Sequence, residues 1–276
     1  MGIVLGLVAA ILYGSGDFAG GRAAEGVDVR RVLLVSQATA AVGSLVALAF
    51  VHGVAVGADL GRGVAAGLLT AVGLGLLYRA LAIGRASVVA PLCAATGAVV
   101  PVTWGLATGE RPGAVALVGV VCAIAAGVLL ARGDEGSGAS ADGVPIAIAA
   151  GVALGASFVC FAATTDASGL WPVAASRLAG VLVVALAISA RRPERIALPA
   201  DVMRIAVIAG VCDVVATVAL VAGLRAELAV LVAALAALAP GFTVACAWLF
   251  ARERVGREQL VGVGLALVGL ALIAAR

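Results

Sequence analysis

Apolar residues run through this sequence in long stretches with no alternation and no polar stripe, and short charged or turn-forming clusters separate them. Ten stretches stand out, approximately 2–19, 32–51, 63–82, 87–107, 113–131, 143–163, 170–190, 203–223, 228–250 and 258–275. A helix rises 1.5 Å per residue, so about 20 apolar residues cross a hydrocarbon core of ~30 Å. Each stretch therefore predicts a transmembrane helix, and the chain reads as an all-α integral membrane protein with ten spans. Strands do not fit, because a lipid-facing barrel alternates in polarity and these stretches are apolar all round. The first stretch has no basic residues ahead of it, so it reads as a retained helix and not a cleaved signal.

Composition strengthens this picture. Of 276 residues, 64% are hydrophobic and 12% charged, with a mean hydropathy of +1.22. No water-soluble fold of this size can conceal that much apolar side chain, so most of the surface must face lipid. Disorder, nucleic-acid binding and secreted disulfide scaffolds are excluded. The five cysteines lie inside apolar runs without CxxC spacing and read as core residues. One histidine, His52, leaves no zinc-site spacing and argues against a Ser-His-Asp triad. Phosphate-cradle and nucleophile-elbow motifs are absent from the sequence, so it predicts no cofactor, no metal and no enzyme.

Charge placement then sets orientation. All 18 basic residues are arginine; thirteen fall on the odd-numbered loops and their flanks, and four on the even side, with Arg177 inside a span. The positive-inside rule places the odd loops in the cytoplasm and both termini outside.

The segment Arg132 to Gly143, charged and rich in Gly and Ser, reads as a linker (132–142) between halves 1–131 and 143–276. These halves are related. Residues 110–131 match 253–274 at ten of 22 positions without a gap, starting with Glu110-Arg111 on Glu253-Arg254. Gly14 falls on Gly155, Ser36-Gln37 on Ser176-Arg177, and Arg85-Ala86 on Arg225-Ala226. Five spans per half is an odd number, which inverts the second half relative to the first, the plan of secondary transporters with a site near the midplane. That plan predicts interrupted helices at corresponding positions, here Pro91 and Pro101 in span four and Pro240 in span nine.

These features resemble the EamA-type transporters of the drug/metabolite transporter superfamily. The resemblance rests on Pro91-Leu92 to Pro101, Gly109-Glu110-Arg111 and Leu117-Val118-Gly119 in one half, and on Pro240, Arg252-Glu253-Arg254 and Leu260-Val261-Gly262 in the other. Tyr13-Gly14-Ser15 with Phe18 is similar to that family's opening motif; the second half departs from it, with Leu154 before Gly155. The resemblance implies two five-helix repeats, a cavity lined by helices 1, 3, 4, 6, 8 and 9, and export of small metabolites or drugs. It also implies cytoplasmic termini, against the arginine bias, which is followed here.

Charged residues inside spans are costly in lipid and need a partner or a water-filled cavity. Asp17, Arg177 and Asp213 are three such residues, and Asp213 is the deepest by sequence. Asp213, with Asp17, is the candidate to bind a proton or a cationic group, and Arg177 is a counter-charge or a ligand for a carboxylate. The competing reading is a structural ion pair. Gln37, Tyr13, Ser15, Thr96, Thr103, Trp104, Thr243 and Trp248 are candidate cavity-lining residues, the two tryptophans serving equally well as an interfacial belt. Glu110 and Glu253 read as helix caps and loop braces. The expectation is a multi-pass protein of the bacterial plasma membrane, monomer or homodimer. It would move a small-molecule solute on a proton or ion gradient; a membrane scaffold or accessory subunit is the alternative.

Overall fold

The computed structural model describes residues 1–24, 27–83, 86–131, 143–189, 198–250 and 256–275. Its elements are α1 Gly2–Ala24, α2 Val29–Leu48, α3 Gly57–Ile83, α4 Ala86–Ala107, α5 Ala114–Ala131, α6 Gly143–Ala162, α7 Trp171–Ser189, α8 Ala200–Ala226, α9 Ala229–Ala236, α10 Ala239–Phe250 and α11 Arg257–Ala274. A 3-10 turn, Asp166–Ser168, precedes α7. Helix occupies all ten apolar stretches, the ninth by two pieces, and no strand occurs among the described residues. Among the described residues, seven helical stretches are long and apolar enough to cross a bilayer, and two shorter apolar stretches lie at Leu92–Ala107 and Ala114–Leu129. The linker 132–142 and Glu253 lie outside the described residues.

The outer surface suits lipid. Leu178, Leu182 and Leu186 make an exposed row four residues apart on α7, and Leu260, Val261 and Leu267 are 60–63% exposed on α11. Large apolar faces of this kind are stable only against hydrocarbon or a partner. Inside, every residue of α9 is buried. Val230, Leu231, Ala234 and Leu235 pack there against Ala116, Val120 and Ala123 of α5 and Ile273 of α11.

Packing follows an exchange of halves, with α6, α7, α8, α9 plus α10, and α11 standing for α1 to α5. Helix α1 packs on α8 as α3 packs on α6, α1 on α9 and α10 as α4 on α6, and α2 on α8 as α3 on α7. Across the exchange axis α2 meets α7, α4 meets α9 and α5 meets α11. Two equivalent glycines make the crossings tight. A Cβ on Gly14 would lie 2.6 Å from Phe242 Cβ and 2.8 Å from the Thr243 nitrogen on α10. One on Gly155 would lie 2.6 Å from the Gly97 carbonyl oxygen and 2.7 Å from Val100 Cβ on α4. Only a residue without a side chain lets the first helix of each half approach the other half's fourth span so closely.

The fourth spans themselves differ from expectation. Span nine breaks at Ala237 and Leu238, and Pro240 sits at the second position of α10, where its missing N–H costs nothing. Helix α4, by contrast, runs unbroken through Pro91 and Pro101, which corrects the prediction of an interruption there. The physical reason is local. Pro101 deprives the Gly97 carbonyl of its helical donor, and that carbonyl lies against Gly155 of α6, whose missing side chain leaves room for it. The side chains of Pro91 and Pro240 lie outside the described residues.

Candidate functional site

A cavity of about 1310 Å³ occupies the middle of the bundle. Helices α1, α3, α4, α6, α8, α9 and α10 line it, and so do three helices absent from the expected set: α2 through Leu33, Ser36 and Gln37, α7 through Ser176 and Arg177, and α11 through Gln259. Its lining extends to Asp28 and Arg30 at the start of α2 and to Gln259 at the start of α11. These positions share the side of the linker, so the cavity reaches that side. Among the described residues no member of the loops 49–56, 108–113, 163–170 or 227–228, at the side of the termini, lines it.

A polar cluster sits at the depth of the α8 midpoint. Arg177 Nη1 donates to Asp213 Oδ2 at 2.7 Å and Nη2 to Asp213 Oδ1 at 3.0 Å, the two-pronged geometry that a guanidinium and a carboxylate favour. Nη2 also donates to the Thr217 hydroxyl. Thr217 Oγ1 in turn donates to the Asp213 carbonyl at 2.9 Å and lies 2.9 Å from the Tyr13 hydroxyl. The Arg177 side chain is 8% exposed and that of Asp213 is 27% exposed, so the carboxylate is the member that meets the cavity. Tyr13 stacks on Phe158 with ring centroids 6.3 Å apart. One turn along α1, on the same face as Tyr13, Asp17 lines the cavity as an exposed residue and makes no hydrogen bond or ion pair with any described residue.

Of the remaining candidates, Gln37 and Thr243 line the cavity, and Thr243 also donates to the Gly14 carbonyl at 3.1 Å. Ser15 instead faces α10, with Cys246 Sγ 3.6 Å away. Thr96 donates to the carbonyls of Leu92 and Cys93 within α4 and packs on Gly151 of α6. Thr103 is exposed and bonded to Val99 and Val100. Trp104 is half-buried away from the cavity, and Trp248 is 60% exposed on the outer surface. Sequence reasoning missed Thr217, buried at the centre of the cluster; its signal is its spacing of four from Asp213, which puts both on one helix face.

The side of the termini is closed by contacts between the halves. Asp59 of α3, fully buried, pairs with Arg62 at 2.5 Å and accepts from the Thr165 amide at 3.0 Å and the Thr165 hydroxyl at 2.5 Å. Within the second half, Arg225 at the end of α8 braces the same connection, lying 3.5 Å from Asp166 and donating to Thr164 at 3.3 Å. The Val54 amide donates to the Ala167 carbonyl at 2.8 Å, and Gly53 lies against Gly169, whose φ of 50° suits glycine. Glu110 does act as a cap, though not of the helix that follows it. Its two carboxylate oxygens accept the amides of Ala229 and Val230, each at 2.9 Å, at the start of α9.

A lipid-facing helical bundle with a central cavity carrying paired and unpaired charges defines a membrane transport protein by architecture. The chain belongs to the EamA-like transporter family, whose model matches residues 1–132 and 142–275. It is thus a multi-pass membrane protein and a transporter of small solutes of the drug/metabolite type, a family of transporters and not of enzymes. No curated protein matches it. One solved structure, described as "Crystal structure of protein", shares its fold with a TM-score of 0.81 at 17% identity, covering 99% of this chain and 96% of that one.

Proposed function

We propose that this protein is a secondary active exporter of small organic solutes, built from two mutually inverted repeats, 1–131 and 143–276, that alternate access to one central site. It works in the bacterial plasma membrane on a proton or ion gradient. The observation that carries this reading is the one-sided cavity, which reaches the linker side while contacts between the halves close the side of the termini. The linker side bears most of the arginines, so by the positive-inside rule the cavity faces the cytoplasm. A scaffold or accessory subunit has no use for such a cavity or for a carboxylate placed inside it.

Alternating access requires the closed side to open in turn. The Asp59–Thr165 and Val54–Ala167 contacts then form the outer gate, since they join the α2–α3 connection and the start of α3 in one half to the α6–α7 connection of the other. Cysteines at Val54 and Ala167, oxidised to a disulfide in proteoliposomes, are expected to reduce solute flux to background, with recovery on reduction. Flux that continues unchanged through the cross-linked protein overturns the alternating-access reading.

A further inference from the structure

The balance of charge in the cavity narrows the solute class. The acidic and basic side chains among the described lining residues are Asp17, Asp28, Asp213, Arg30 and Arg177. Asp28 and Arg30 are a pair at the start of α2, 3.9 Å apart, and Asp28 caps that helix by accepting the Arg30 amide. Arg177 and Asp213 neutralise one another. The guanidinium has no face left for a solute: both terminal nitrogens bond to Asp213 or Thr217, and Nε is buried from solvent. Arg30 stands at the linker-side mouth, so a carboxylate-bearing solute finds no free cation at the depth of the Arg177–Asp213 pair. Asp17 is what remains, a carboxylate open to the cavity without a described partner. The stacked rings of Tyr13 and Phe158 line the same space beside it, and aromatic faces attract cations.

We propose that the transported solute carries one fixed positive centre, an ammonium or guanidinium group, that pairs with Asp17 beside the Tyr13 and Phe158 rings. This rests on the transporter reading above. A cation in a membrane interior is stable only where an opposite charge receives it, and Asp17 offers that charge while Asp213 is already occupied. The rest of the wall, largely Gly, Ala and Leu, places little demand on the remainder of the solute.

The test is flux through the full-length protein in proteoliposomes for three groups of probes: methylammonium, guanidinium and tetraethylammonium; alanine as zwitterion; lactate as anion. Cation flux is expected in the wild type, to fall about tenfold or more in Asp17→Asn, and to persist in Asp17→Glu, because the charge and not the shape is needed. Asp17 has no described bonds to lose, so the melting temperature of Asp17→Asn is expected to match the wild type, which separates lost binding from lost folding. Flux of alanine or lactate alone, indifferent to Asp17→Asn, overturns the cation inference and leaves the transporter reading intact. Proton flux that depends on Asp17 with no cation flux overturns it too. No cation flux, with flux of another solute still abolished by the Val54–Ala167 cross-link, overturns the cation inference alone; solute flux that continues unchanged through the cross-linked protein and is indifferent to Asp17→Asn overturns both.

Discussion

The junction of α1 with α8 and that of α3 with α6 are the same crossing seen in the two halves, yet one is polar and the other is not. At the first, Tyr13 of α1 meets Thr217 beside the Arg177–Asp213 pair. Carrying the repeat offsets through the sequence, Leu154 stands for Tyr13, Gly73 for Asp213, Leu77 for Thr217 and Gln37 for Arg177. At this second junction Leu154 packs over Gly73, where an added Cβ would lie 2.7 Å from Leu154 Cγ. Asp17 likewise has Phe158 as its counterpart. The shared glycines keep the two halves on one packing plan, and the charges sit where the halves differ. Architecture therefore comes from the symmetry of the repeat and chemistry from its departures.

That contrast can be broken most strongly at Arg177. Arg177→Ala leaves Asp213 unpaired within the bundle and is expected to cost about 3–5 kcal/mol, read as a lower unfolding midpoint in detergent. Gln37→Ala, its counterpart, is expected to change that midpoint by less than ~0.5 kcal/mol equivalent. A cost for Gln37→Ala equal to that for Arg177→Ala would erase the asymmetry. At the shared glycines the opposite holds: Gly14→Val and Gly155→Val should each cost about 1–3 kcal/mol by overpacking, with similar losses in thermal midpoint. Unequal losses would mean that the two crossings do not do the same work. Thr217→Val retains shape and removes the hydroxyl shared by Arg177 and Tyr13, for about 1–3 kcal/mol in the same melting assay. Glu110→Ala uncaps α9 and should cost about 1 kcal/mol, more than Gln37→Ala and less than the other substitutions.

Most of the fold was legible because lipid imposes a length: each apolar run had to be helical, and helix fills all ten. The unbroken α4 was not legible, since a proline inside a span marks a lost donor but not whether the helix continues past it. The site was partly legible for an equally physical reason. A carboxylate or guanidinium inside a span has few places to go, and Asp17, Arg177 and Asp213 all line the cavity. A hydroxyl is different. Thr96 and Thr103 satisfy theirs on carbonyls three and four residues back in their own helix, so their polarity says nothing about which way they face. Thr217 makes the same backbone bond and yet completes the cluster, and only its register with Asp213 distinguishes it.

The cap that Glu110 places on α9 also bears on how the protein is made. Two amides of α9 find their acceptor on a residue synthesised about 120 positions earlier, in the other half. During translation the first five helices must wait in the membrane with that carboxylate unengaged, and α9, buried along its whole length, cannot reach its final surroundings until they are in place. Assembly thus has a fixed order, in which the earlier half is the template on which the later half's broken span is completed.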